Sequence, residues 1–158
     1  IRASIKPKDH LSLFFGVFGA APLNLTFTHL GDATCLLLDA QSGSLKHLGS
    51  HAPSIKGALA PGPFPGNVPE TTMPFPVGSR LVLISDGVTE VLGGSPFVFD
   101  LLAQNSALEP EKLLNEISFQ IQERVKGMKD NEGMPPQDCT AVIVEAMDAQ
   151  PKVYRLRP

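Results

Sequence analysis

The chain has 158 residues, 42% hydrophobic and 18% charged, which favours one domain and supplies enough apolar content for a sizeable core. A formal net charge of −3, a sequence pI near 5.8 and the lack of clustered Lys and Arg exclude a nucleic-acid footprint. No apolar run approaches the roughly 18 residues of a membrane span, and the opening Ile1-Arg2-Ala3-Ser4-Ile5-Lys6 lacks the continuous apolar region of a signal peptide.

Leu11 to Phe18 is apolar and aromatic and reads as a strand. Asn24 to Leu30 alternates with period two, which places Leu25, Phe27 and His29 on one face. Gly19-Ala20-Ala21-Pro22 between them is the expected hairpin connection. After Gly31-Asp32, Thr34 to Asp39 reads as a third strand. Gln41-Ser42-Gly43 reads as a turn, and Ser44 to Leu48 as a short return strand. This spacing predicts an antiparallel meander. Residues 49–79 hold Pro53, Pro61, Pro63, Pro65, Pro69, Pro74 and Pro76. Proline removes ladder donors, so a long surface excursion is expected, with a short strand at Thr72 to Phe75. Long loops often carry substrate or partner surfaces; a tolerated insertion is the plainer reading.

Arg80 to Ser85 reads as a strand buried on both faces. Pro96 to Gln104 reads as a short helix. Glu109-Pro110-Glu111 starts a longer one, with Pro and acidic residues where a first turn favours them. Leu113, Leu114, Ile117, Ile121 and Val125 then form a core-facing stripe. Lys126 to Pro136 is polar loop. Thr140 to Glu145 reads as another buried strand, and Val153 to Leu156 as a last edge strand. Strands, a helical pair and further strands give an α+β layer arrangement.

Two carboxylates mark strand tips. Asp86 follows Leu81-Val82-Leu83-Ile84-Ser85 and is followed by Gly87, which lets the chain come close to whatever the carboxylate holds. Asp138 precedes the strand Ala141-Val142-Ile143-Val144. The two share a rim only if Asp86 trails its strand and Asp138 leads an antiparallel neighbour. Such a pair would begin, without completing, the roughly six oxygens that a hard cation takes. An ordinary Asp-Gly turn explains the first of them equally well.

The ordered set Ser85-Asp86-Gly87-Val88-Thr89-Glu90, a helical pair, and Gln137-Asp138-Cys139-Thr140 opening a strand resembles the back portion of SpoIIE-like, PPM-type (type 2C-like) serine/threonine phosphatases. Leu25 to Leu30, Gly31-Asp32 and Cys35 to Leu38 are similar to that family's strand, Ala-Gly-His corner and strand. The resemblance runs from about Leu11 to Glu145. It implies an antiparallel β-sandwich with helices packed on its faces. Here the front strands are lacking, so residues 1–158 would be a single phosphatase-like domain, the C-terminal part of a PPM-type domain. It also implies Mn²⁺ or Mg²⁺ held at one rim by Asp carboxylates, water and a backbone carbonyl. A water made acidic by the cations then attacks a phosphoserine or phosphothreonine of a signalling protein. Asp86, Gly87 and Asp138 become the candidate metal residues.

The chain departs from the pattern at three places. Gln137 stands where the family usually has a metal-ligating Asp, and is a possible, weaker substitute. Asp32 stands at the corner His. No Gly-Asp pair precedes Leu11 to supply the front ligands. Either the chain is the back part of a larger metal-dependent phosphatase, or it is a degenerate, non-catalytic module that binds a regulatory protein. Membrane insertion is not expected.

Other residues are read plainly. Thr89 and Glu90 fit turn capping. His10, His29, His47 and His51 lack HxH or HxxxH spacing, and His29 is expected to pack in the core. Cys35 and Cys139 lie far apart outside any CxxC pair, so buried free thiols in a reducing cytoplasm are expected. Ser12, Ser85 and Thr140 sit in no G-x-S-x-G elbow, and no GxGxxG or Walker loop is present.

Overall fold

The computed structural model describes residues 10–20, 23–31, 33–39, 42–49, 55–56, 69–128, 138–147 and 151–155. The polar loop expected before Pro136 and most of the proline-rich excursion lie outside them. The chain forms two compact units, Ile1–Ala33 with Gly49–Phe75 and Thr34–Leu48 with Pro76–Pro158.

In the first unit, β1 (His10–Leu11) pairs with β6 (Ile55–Lys56), and β2 (Leu13–Ala20), β3 (Leu23–Leu30) and β7 (Thr71–Pro74) form an antiparallel sheet in the order β2-β3-β7. The β2–β3 register runs from Leu13 opposite Leu30 to Ala20 opposite Leu23. Period two decides the burial of β3: Leu25, Phe27 and His29 are all buried. The Phe14 ring stacks on Phe27 with centroids 5.4 Å apart and tilts against His29 at 6.2 Å. His29 is therefore a packed core residue. The alternate residues of β2, Leu13, Phe15 and Val17, face outward and stay exposed. The Thr26 and Thr72 hydroxyls hydrogen-bond at 2.8 Å, and the Phe75 N–H donates to the Leu23 carbonyl at 3.1 Å, which holds β7 in place.

Gly31 ends β3 with φ of 93°, a left-handed conformation that favours glycine. A Cβ there would lie 2.6 Å from Ser12 Oγ and 2.9 Å from Ser12 Cα. Gly31→Ala is therefore expected to lower stability by about 1–3 kcal/mol, read from urea unfolding. A midpoint equal to that of the parent chain would show that this turn relaxes without cost.

In the second unit, β4 (Thr34–Asp39), β5 (Leu45–His47), β8 (Ser79–Ile84), β9 (Ala141–Ala146) and β10 (Pro151–Arg155) form one antiparallel sheet in the order β10-β9-β8-β4-β5. The continuous meander predicted from spacing is thus corrected: β4 pairs with β5 and β8, not with β3. Consecutive strands usually pair, but not always. The run Thr34 to Leu38 is apolar on both faces, which suits a strand between two neighbours. Three helices follow β8: α1 (Asp86–Leu92), α2 (Ser95–Gln104) and α3 (Pro110–Lys126).

One face of this sheet presents Leu36, Leu38, Val82, Ile84, Ala141 and Ile143 to the helices. Against it pack Val88, Val91 and Leu92 of α1, Leu101 and Leu102 of α2, and the α3 stripe of Leu113, Leu114, Ile117, Ile121 and Val125. Cys35, Leu81 and Val144 on the opposite face are buried too. α3 begins with Pro110, carries Glu111 in its first turn and Arg124 and Lys126 in its last, so charges oppose the helix dipole at both ends. At one end of the helical face Arg80 stands directly opposite Glu145. Its Nε donates to Glu145 Oε1 at 2.8 Å, and its Nη1 donates to the Ser106 and Leu108 carbonyls at 3.0 and 2.7 Å. Among the described residues no helix is long and apolar enough to cross a membrane.

Candidate metal centre

The rim of interest is the other end of β8. Ile84 pairs with Ala141 of β9 and with Thr34 of β4, so three strands of the second unit meet there. β8 passes into α1 without a loop: Ser85 is the N-cap, with extended backbone, and Asp86 is the first helical residue. Asp86 therefore trails β8, Asp138 leads the antiparallel β9, and both reach the same rim with exposed side chains. The strand-order condition read from the sequence holds.

A short hydrogen-bond set joins the two segments. The Ser85 N–H donates to the Thr140 carbonyl at 2.9 Å. The Ser85 hydroxyl donates to the Asp138 carbonyl at 3.1 Å and accepts the Thr140 N–H at 2.9 Å. The Ser85 carbonyl turns the other way and accepts the N–H groups of Val88 and Thr89, at 3.1 and 3.3 Å, to start α1. Asp86 then occupies the first turn, where the helix dipole favours negative charge. Thr89 points back to the start of β4, its hydroxyl 3.4 Å from that of Thr34.

The junction differs from the sharp Asp-Gly turn expected. Gly87 is buried inside the first helical turn. α1 was not legible because Gly and β-branched Val and Thr are poor helix formers. Burial of Val88, Val91 and Leu92, at helical spacing, overrides that preference. Thr89 and Glu90 lie within this helix and do not cap a turn. Gln137 and Asp32 fall outside the described residues. Ser85 was missed as a structural element of the rim; a serine directly before an acidic residue at a strand end is a helix-start signal.

Neither cysteine forms a disulfide. Burial pushes the Cys35 thiol up to about 12. Cys139, half-buried at the rim, is raised by burial and then by the neighbouring Asp138 carboxylate. Both are therefore protonated and weakly reactive near neutral pH.

Exposed carboxylates are hard oxygen donors of the kind that Mn²⁺ and Mg²⁺ take, so Asp86 and Asp138 fit such an ion in charge and chemistry. Among the described residues no three His, Cys, Asp or Glu side chains gather at one point. Two carboxylates alone would not complete the roughly six oxygens that such an ion takes.

This architecture matches that of PP2C-type phosphatase domains. The phosphatase domain of the cell fate determinant SpoIIE from Bacillus subtilis, Mn-presoaked, superposes with a TM-score of 0.60 at 14% identity, covering 89% of this chain and 59% of that one. A second structure of that domain gives 0.60 and 14%, covering 94% and 63%. The SiaA-PP2C domain of Pseudomonas aeruginosa gives 0.56 and 14%, covering 79% and 46%. The chain therefore spans less than two thirds of these domains, and at such identity the likeness establishes the fold. No curated protein sequence matches the chain. The sequence model of the family described as Stage II sporulation protein E (SpoIIE) matches residues 2–147, and the chain belongs to that family.

Proposed function

We propose that the chain is the C-terminal part of a metal-dependent protein phosphatase domain, acting on phosphoserine or phosphothreonine of a signalling protein in the cytoplasm. Its two units would be parts of that single domain. The observation that carries this is the rim itself: Asp86 just after β8 and Asp138 just before β9 lie at the same end of two adjacent strands, tied through Ser85. Asp86 and Asp138 would hold Mn²⁺ or Mg²⁺, with the Gly87 backbone beside them and Gln137 as a neutral oxygen donor. When bound, the cation supplies positive charge against the phosphoryl oxygens and makes a nearby water more acidic. The chain's own part is to keep two exposed carboxylates at one rim. The sheet and α1 fix their backbones, and the helix N-terminus offsets some of their repulsion.

A second reading is a phosphatase-like module that docks a regulatory protein without catalysis. The absence of a third acidic, His or Cys ligand among the described residues favours it. Phosphate release from a phosphoserine protein by the full-length protein separates the two. Release in Mn²⁺ that stops on chelation supports the enzyme, and release unaffected by chelator sinks it. Neither release nor Mn²⁺ binding leaves the docking module.

A further inference from the structure

We infer that Ser85 is a positioning residue that sets the separation of Asp86 and Asp138, taking the rim as the metal site proposed above. Serine at an N-cap ordinarily turns its hydroxyl onto the N–H groups of the first helical turn. Here it makes no such bond. The reason lies in the backbone. In an antiparallel ladder a hydrogen-bonded pair exchanges both N–H···O bonds. Ser85 gives its N–H to the Thr140 carbonyl, but its own carbonyl is taken by Val88 and Thr89 of α1. The Thr140 N–H thus loses its ordinary acceptor, and the Ser85 hydroxyl stands in for it at 2.9 Å. The hydroxyl proton then goes to the Asp138 carbonyl at 3.1 Å. One side chain extends the β8–β9 ladder past the point where β8 has become helix. It acts on the two residues flanking Cys139 from a position adjacent to Asp86. The ladder would otherwise end at Ser85 with a single bond, leaving the Asp138 segment free to swing relative to α1.

Alanine removes both side-chain bonds and keeps the backbone bond. Threonine keeps the hydroxyl. The test compares the full-length protein with its Ser85→Ala, Ser85→Thr and Asp86→Asn variants, by Mn²⁺ titration and by amide hydrogen exchange without metal. Ser85→Ala is expected to weaken Mn²⁺ binding by about tenfold, as loss of a group that orients metal ligands does. The Thr140 amide should exchange faster, with amides in the middle of β8 unchanged. Ser85→Thr should restore both. If Ser85→Ala binds Mn²⁺ like the parent while Asp86→Asn binds it poorly, the positioning role is wrong and the metal site stands. If the parent itself takes up no Mn²⁺, both are wrong. Unaltered exchange at Thr140 in Ser85→Ala overturns the hydrogen bond on which the role depends.

Discussion

Asp86→Asn is expected to lower Mn²⁺-dependent phosphate release on the order of a hundredfold while leaving folding stability nearly unchanged. A cation contributes several kcal/mol of charge stabilisation in such chemistry, and loss of about 3 kcal/mol corresponds to roughly that factor. The amide retains one oxygen but not the charge, so it competes poorly for a divalent ion. The fold should tolerate the exchange. Asp86 is exposed, and Asn has nearly the same size and shape as Asp. The dipole interaction given up is about 0.3–1 kcal/mol, and relief of repulsion with Asp138 acts in the opposite direction. Steady-state phosphate release alongside thermal unfolding checks both halves. Turnover equal to the parent's would remove Asp86 from the metal site. A large fall in melting temperature would mean that the residue serves the fold instead.

Arg80→Ala should do the reverse, lowering folding stability while leaving the rim intact in the folded molecules. Arg80 and Glu145 are both largely withdrawn from water, with side chains 6% and 14% exposed. Removing one member of a buried pair leaves the other charge uncompensated, at a cost of about 3–5 kcal/mol. That is a large share of an ordinary domain's total stability, and it lowers the melting temperature by roughly 10 °C. The guanidinium also serves the Ser106 and Leu108 carbonyls between α2 and α3, so those acceptors lose their donor as well. A double variant, Arg80→Met with Glu145→Leu, should recover part of the loss, since it removes both charges. Full recovery is not expected while the two carbonyls stay unserved. Denaturant unfolding of the two variants beside the parent measures this, and a loss below about 1 kcal/mol for Arg80→Ala would place the pair among ordinary surface ion pairs.

Much of this fold can be read from local pattern. The alternation in β3, the apolar runs of β4, β8 and β9, and the α3 stripe each report a burial pattern that one segment carries by itself. The rim placement of Asp86 and Asp138 could also be anticipated, because it follows from chain order and antiparallel pairing. Whatever depends on register or on packing between segments remote in sequence could not. Arg80 looked like the polar start of a strand until β8 and β9 set it opposite Glu145. α1 looked like a turn, since its helicity comes from burial of Val88, Val91 and Leu92. The switch of β4 into another sheet rests on pairing with β8, and no residue of β4 announces its partner.

The strands that bear the two carboxylates are neighbours in space, yet Ser85 and Thr140 are 55 residues apart along the chain. The segment between them includes α2 and α3, whose helical contacts are local and form in microseconds or less, whereas pairing β8 with β9 requires a long loop to close. The rim is therefore expected to be among the last features to appear during folding. On the ribosome it cannot exist until β9 has emerged, well after β8 and α1 are made. A nascent chain halted before Ala141 would carry its Asp86 signature but not the β8–β9 pairing that brings Asp138 to the same rim.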